Sequence, residues 1–185
     1  RRRAVGSAGP RSAEYLLSVF EANFSADKWV EHGSYGSAKS LRAAWLLCDL
    51  QCKEIVSRAL HRRLEQAKDP YLIRAYLMIT ARCVPRTSAL RLLESSLGDQ
   101  RPCWPHRRKM KHYQAKEITN HNRVCDFAYK EMRWTLNNTF REWQEDRSPS
   151  YLDNFEAFKA WWKEHRVDVL TGKEIPLPES LRRPK

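Results

Sequence analysis

The chain has 185 residues, 42% of them hydrophobic and 30% charged, with a formal net charge of +12. That length buries a continuous core without metals or disulfides, and the ordinary apolar fraction excludes intrinsic disorder of the whole chain. Six glycines against abundant Ala, Leu, Arg, Lys, Glu and Gln predict helix and exclude a sheet rich in tight turns, while charges break every apolar run short of the ~18 residues a membrane-spanning helix needs.

Arg1 to Arg3 look like the basic start of a signal peptide, but Ala4 to Pro10 supply no apolar run behind them, so 1–11 reads as a basic tail. A single helical domain is expected over 12–172. Its first helix, 12–25, starts at a Ser12 cap and places Tyr15, Leu16, Val19, Phe20 and Ala22 or Phe24 at helical spacing. After Trp29 and Val30, the glycines and serines up to Lys39 read as a loop. Ser40 is the expected cap of a helix repeating Leu41, Ala44, Trp45, Cys48 and Cys52. Ile55, Val56, Ala59, Leu60 and Leu64 continue the period to Lys68, which is long for one globular helix, so a break between Asp49 and Lys53 is predicted to make a helix pair.

Asp69-Pro70 supplies the cap and first-turn proline of a helix carrying Leu72, Ile73, Tyr76, Leu77, Ile79 and Ala81, which Val84-Pro85 ends. Its partner, Arg86 to Leu97, turns Ala89, Leu90, Leu93 and Leu97 inward and stops at Gly98. Residues 99–121 lack an apolar period, contain Pro102 and Pro105, and read as a long basic loop insertion. Helix returns over Asn122 to Asn137 with Val124, Phe127, Ala128, Met132 and Leu136 on one face, followed by a turn at 146–149. A last helix, 154–169, is anchored by Phe155, Phe158, Trp161 and Trp162 and stopped by Gly172. Adjacent tryptophans cannot share one stripe, so one of Trp161 and Trp162 is expected at an edge. The proline-bearing tail 173–185 reads as extended or disordered.

Two stretches carry a family resemblance. Leu64 to Val84 (LEQAKDPYLIRAYLMITARCV) resembles the middle of a HEAT repeat, with an Asp-Pro turn before a helix that has an Arg a few residues in. Arg123 to Trp134 (RVCDFAYKEMRW) followed by Phe155 to Arg166 (FEAFKAWWKEHR) is similar to the last repeat and closing Trp-rich helix of bacterial HEAT-repeat proteins. The basic loop swells the repeat spacing, and Asn137-Asn138 stands where such repeats have glycine. The resemblance implies an all-α fold, an α-α superhelix of about three stacked HEAT-like helix pairs with a long basic loop after the second. It also implies a scaffold that binds a protein partner. Stacking has its own physical reason, since a lone helix pair cannot bury its apolar stripe.

Candidate chemistry is sparse. Residues 1–11 hold four Arg and 101–116 hold six Lys or Arg, neither stretch has an acid, and together they supply 10 of the 12 excess charges. In the second stretch Arg101, Arg107, Arg108, Lys109, Lys111 and Lys116 interleave with Trp104 and Tyr113, as binding of a phosphate backbone and an exposed base requires. These eight residues are the candidate site for a partner or for nucleic acid. Cys103, His106, His112, His121 and Cys125 are zinc-type ligands, but their spacing fits no finger or ribbon, and a solvated loop with Cys125 in the core is expected. Cys48 and Cys52 stand at i and i+4 on one helix face, close enough to share a metal or sense oxidation, but they also fit the apolar stripe with Trp45, and packing as small hydrophobic thiols is expected, which favours a reducing, cytoplasmic compartment. Asp126, on analogy with HEAT-like proteins that excise damaged DNA bases, is the one carboxylate an enzyme could use, although a first-turn acid is more simply a helix-dipole partner. No nucleophile, base and orienter can be named together, so neither catalysis nor a cofactor is expected. The reading is a non-catalytic interaction module, with nucleic-acid binding through 101–116 as the alternative.

Overall fold

A computed structural model of the protein describes residues 10–25, 37–103, 123–137, 151–178 and 181. The described residues form helices α1 (Pro10–Asn23), α2 (Ala38–Asp49), α3 (Lys53–Gln66), α4 (Pro70–Cys83), α5 (Arg86–Glu94), α6 (Val124–Asn137) and α7 (Tyr151–Leu170), with no strand among them. The all-α class expected from composition is the observed one. None of these helices is long and apolar enough to cross a membrane.

Packing follows two layers. α1, α3, α5 and α7 each pack on the next in one layer, α2, α4 and α6 do the same in the other, and α1–α2, α3–α4 and α5–α6 pack across. This arrangement is compatible with a superhelix. The expected pair α4–α5 is in contact, whereas α2 and α3, expected to pair across their short connection, pack instead on α1 and α4. The basic insertion joins α5 to α6, which pack on each other. α4 lies in the middle and is buried on nearly every side, from Ile73 to Ala81 and at Cys83. One face of α4 (Tyr76, Ile79 and Cys83) packs with Leu17, Phe20, Leu47 and Leu60. The other (Ile73, Leu77 and Ala81) packs with Leu90, Phe127, Met132, Phe158 and Trp162.

Local chemistry explains the boundaries. α2 is capped by Ser37, not Ser40: the Ser40 N–H donates to the Ser37 hydroxyl, and Ser40 at the third helical position receives the Ser37 N–H in return. Ser37→Ala should cost about 1 kcal/mol in urea-monitored unfolding, and a loss below ~0.3 kcal/mol would show that the cap contributes little. Asp69 accepts from the Tyr71 N–H and Pro70 opens α4, as the Asp-Pro pair predicts. α5 ends at Glu94, before the expected stop at Gly98, whereas Gly172, at φ 94°, terminates the turn after α7.

The buried stripe of α2 is Ser40, Ala43, Ala44 and Leu47, one residue off the expected period. Small side chains let α1 approach closely, and Trp45 is turned outward, 66% exposed. Tyr15 is likewise exposed, because α1 buries Ala13, Leu17 and Phe20 instead. Ion pairs tie α1 to α3, from Glu14 to Arg62 and Arg63 and from Glu21 to Arg63 (2.8 Å). The Tyr76 hydroxyl donates to Glu21 at 2.6 Å, and burial together with this bond pushes its pKa up.

Cys48 is not a free core thiol. It forms a disulfide with Cys83 that joins α2 to α4 across 35 residues of chain, while Cys52 is free and exposed. Closing a loop of that size restricts the unfolded chain by roughly 4 kcal/mol. The crosslink removes the thiol-based argument for a reducing compartment. Trp161 and Trp162 are both buried, contrary to the expected edge position. The segment after Gly172 accounts for this: Leu177 and Leu181 join the tryptophans in the core, and the Arg133 guanidinium donates to the Leu181 carbonyl at 3.0 Å. The part of the tail that is described thus closes the core.

Candidate interaction site at the stem of the basic segment

Of the eight candidate site residues, Arg101 is described, and Trp104, Arg107, Arg108, Lys109, Lys111, Tyr113 and Lys116 lie outside the described residues. Both ends of the segment that carries them are well defined. Pro102 and Arg123 form an isolated antiparallel bridge. The Val124 N–H donates to the Arg101 carbonyl (3.0 Å) and the Cys125 N–H to the Asp99 carbonyl (2.9 Å). The chain thus leaves and re-enters the helical body at one place, as a stem.

Charged side chains lock both strands of that stem. Arg101 pairs with Asp99 (2.7 Å) and donates to the Lys68 carbonyl (2.8 Å) at the end of the α3–α4 connection. Hydrogen bonding from Arg101 holds the Asp99 carboxyl below its usual range. Arg101 is therefore a structural clamp. On the returning strand Arg123 is the N-cap of α6, and Asp126, at the third helical position, reaches back to the Arg123 N–H (2.8 Å) and guanidinium (3.0 Å). Arg123 also donates to the Gln100 side chain, joining the two strands. Asp126 has no exposed surface, and its carboxylate is engaged in capping α6.

Beneath the stem lies a buried charge that the apolar periodicity passed over. Arg74, in the middle of α4 and 5% exposed, donates to the Cys103 carbonyl (3.4 Å) and stacks its guanidinium 3.6 Å from the Phe127 ring centre. It connects α4 to the outgoing strand and to α6 at once. Burial lowers its pKa to about 9, against the opposing pull of Cys103, Glu131 and Tyr71. Glu131, one turn beyond Phe127, is 2% exposed, and its Oε1 accepts no hydrogen bond. Burial raises its pKa to about 7 even though Arg82, Arg74 and Lys130 favour its charge. The available signals were an arginine inside the run LIRAYLMIT and a glutamate in register with Val124, Phe127 and Ala128.

The zinc-type set divides in the same way. Cys103 and Cys125 are buried, and burial pushes their thiols up to about 12 and about 11, while His106, His112 and His121 lie outside the described residues. Among the described residues no group of three or more His, Cys, Asp or Glu could hold a metal ion. Among the described residues the exposed large apolar side chains, Tyr15, Trp45 and Val167, stand on three different helices. Compared with known protein families, curated proteins and solved structures, the chain matches none.

Proposed function

We propose that the chain is a non-catalytic interaction module whose helical body presents the basic segment 104–122 to a protein partner with an acidic surface. The observation that carries this reading is the clamped stem: Asp99, Arg101, Arg123 and Asp126 hold both ends of the segment side by side on the body. A pre-ordered attachment lowers the ordering cost that binding has to meet. Arg101 is used by the stem, so Arg107, Arg108, Lys109, Lys111 and Lys116 are the cations assigned to the partner, flanked by Trp104 and Tyr113. The resemblance to HEAT-like scaffolds points in the same direction.

Affinity capture with the full chain tests this reading against a variant in which Arg107, Arg108 and Lys109 are all Ala. A protein retained by the parent chain and retained at least about tenfold less by the variant is the expected result. Equal retention by the two baits would refute the assignment. The density of cations around two aromatics favours nucleic acid as the second reading. That reading requires a log–log salt slope of several units for a generic duplex or single strand, abolished in the same variant, and no binding at low salt removes it.

A further inference from the structure

Beyond the stem, the seam between α4 and α6 carries further cations around an indole. Two contacts fix its register: the Arg74 guanidinium lies 3.6 Å from the Phe127 ring centre, and the Arg82 guanidinium lies 5.8 Å from that of Trp134. The step from Arg74 to Arg82 on α4 thus matches the step from Phe127 to Trp134 on α6, and the two helices run alongside each other in the same direction. Lys130 approaches the same Phe127 ring (5.5 Å) and precedes Trp134 by one turn. At the far end Arg86, the first residue of α5, donates to the Leu136 carbonyl (3.5 Å). Arg82 and Arg86 are exposed, and Lys130 and Trp134 are half-buried. The local sequence keeps this strip positive. Ala81 to Leu93 contains Arg82, Arg86 and Arg91 and no acid, and Glu131, the acid on which Arg82, Arg74 and Lys130 act, is buried.

We propose that Arg82, Arg86, Lys130 and Trp134 form a second contact surface for the acidic protein partner, one that receives its carboxylates along the seam between α4 and α6. The inference rests on the interaction reading above and assigns residues of the helical body to the same partner. Charge complementarity is the first argument, since guanidinium and ammonium N–H groups donate to carboxylate oxygens in bonds stronger than those between neutral groups. Continuity is the second. The basic segment re-enters the body at Arg123, and at a rise of ~1.5 Å per residue Lys130 and Trp134 stand about 10 and 16 Å further along α6. An extended acidic stretch of about five residues covers that distance. Contacts on the seam and on the basic segment then reinforce each other, because binding at one raises the effective concentration of the partner at the other. A chain of carboxylates suits the strip better than an exposed base does, because the Arg82 guanidinium already lies over the Trp134 ring on which a base would stack.

The probe is a labelled oligoglutamate peptide added to the full chain. Its affinity is measured by fluorescence anisotropy, and a carbodiimide, which joins carboxylates directly to lysine amines, marks its position for peptide mass spectrometry. Lys130 should couple at least about fivefold more than Lys163, which is exposed on α7, and a variant carrying Arg82→Gln and Arg86→Gln should lose that preference and bind about fivefold more weakly. Both arginines are exposed, and Lys130→Gln, read by affinity alone, repeats the test with α4 and α5 intact. The variant with Ala at Arg107, Arg108 and Lys109 separates this proposal from the reading on which it rests. Full affinity in that variant with loss in the seam variant refutes the assignment of the basic segment and supports the seam, whereas the opposite pattern refutes the seam alone. Coupling at Lys163 as heavy as at Lys130, equal affinity of the seam variants and the parent chain, or tighter binding of a DNA single strand of equal charge would overturn the proposal.

Discussion

Between about pH 4.5 and pH 8 the parent chain should lose about 3 kcal/mol of stability relative to a Glu131→Gln variant, the free-energy equivalent of raising a carboxyl pKa from 4.5 to about 7. The sign follows from the direction of the shift. Above pH 4.5 the unfolded chain releases the Glu131 proton while the folded chain keeps it, so the folded state binds more protons and stability falls as pH rises, until the folded carboxyl itself ionises near pH 7. The cause is burial, which Arg82, Arg74 and Lys130 only partly offset. Glutamine keeps the shape without the charge, so its unfolding curve lacks this fall. Urea titrations of both proteins at the two ends of the window measure the effect. Parallel pH profiles would show that Glu131 is solvated or paired in the folded chain.

Arg74→Ala should destabilise the chain by about 3–5 kcal/mol, the range for removing one partner from buried charges. Three losses combine: the guanidinium no longer stacks on Phe127, the Cys103 carbonyl loses a donor, and Glu131 loses a compensating cation. Arg74→Met combined with Glu131→Gln separates charge from volume. Because buried charge pairs replaced by well-packed neutral residues are often neutral or stabilising, the double variant should recover most of the loss. Denaturant midpoints of the three proteins decide the matter. An Arg74→Ala cost below ~1 kcal/mol would mean that α4 and the stem hold together without the guanidinium.

The helices were legible because their signals are local. Asp69-Pro70 starts α4, Val84-Pro85 ends it, and Gly172 closes the turn after α7, each through backbone constraints that act within one or two residues. Periodicity also found the inward faces of α4, α5 and α7. It failed where burial depends on what lies opposite. In α2 both the expected stripe through Trp45 and the observed one through Ala43 and Leu47 have helical spacing, and only the close approach of α1 selects the second. Trp161 and Trp162 could both be buried once the chain beyond Gly172 folded back, a contact between elements that no helical wheel contains.

By itself, the sequence determined an all-helical chain, most of its helix boundaries, and a cationic segment between two helices, because propensity, capping and charge reside in neighbouring residues. Tertiary structure decided which helices pair, that Cys48 bonds to Cys83 rather than remaining a thiol beside Cys52, that Arg101 and Asp126 hold the stem, and that Arg74 and Glu131 are buried beneath it. Those outcomes depend on groups brought together from distant parts of the chain, where desolvation and pairing set the energies, and one-dimensional spacing carries no record of that juxtaposition.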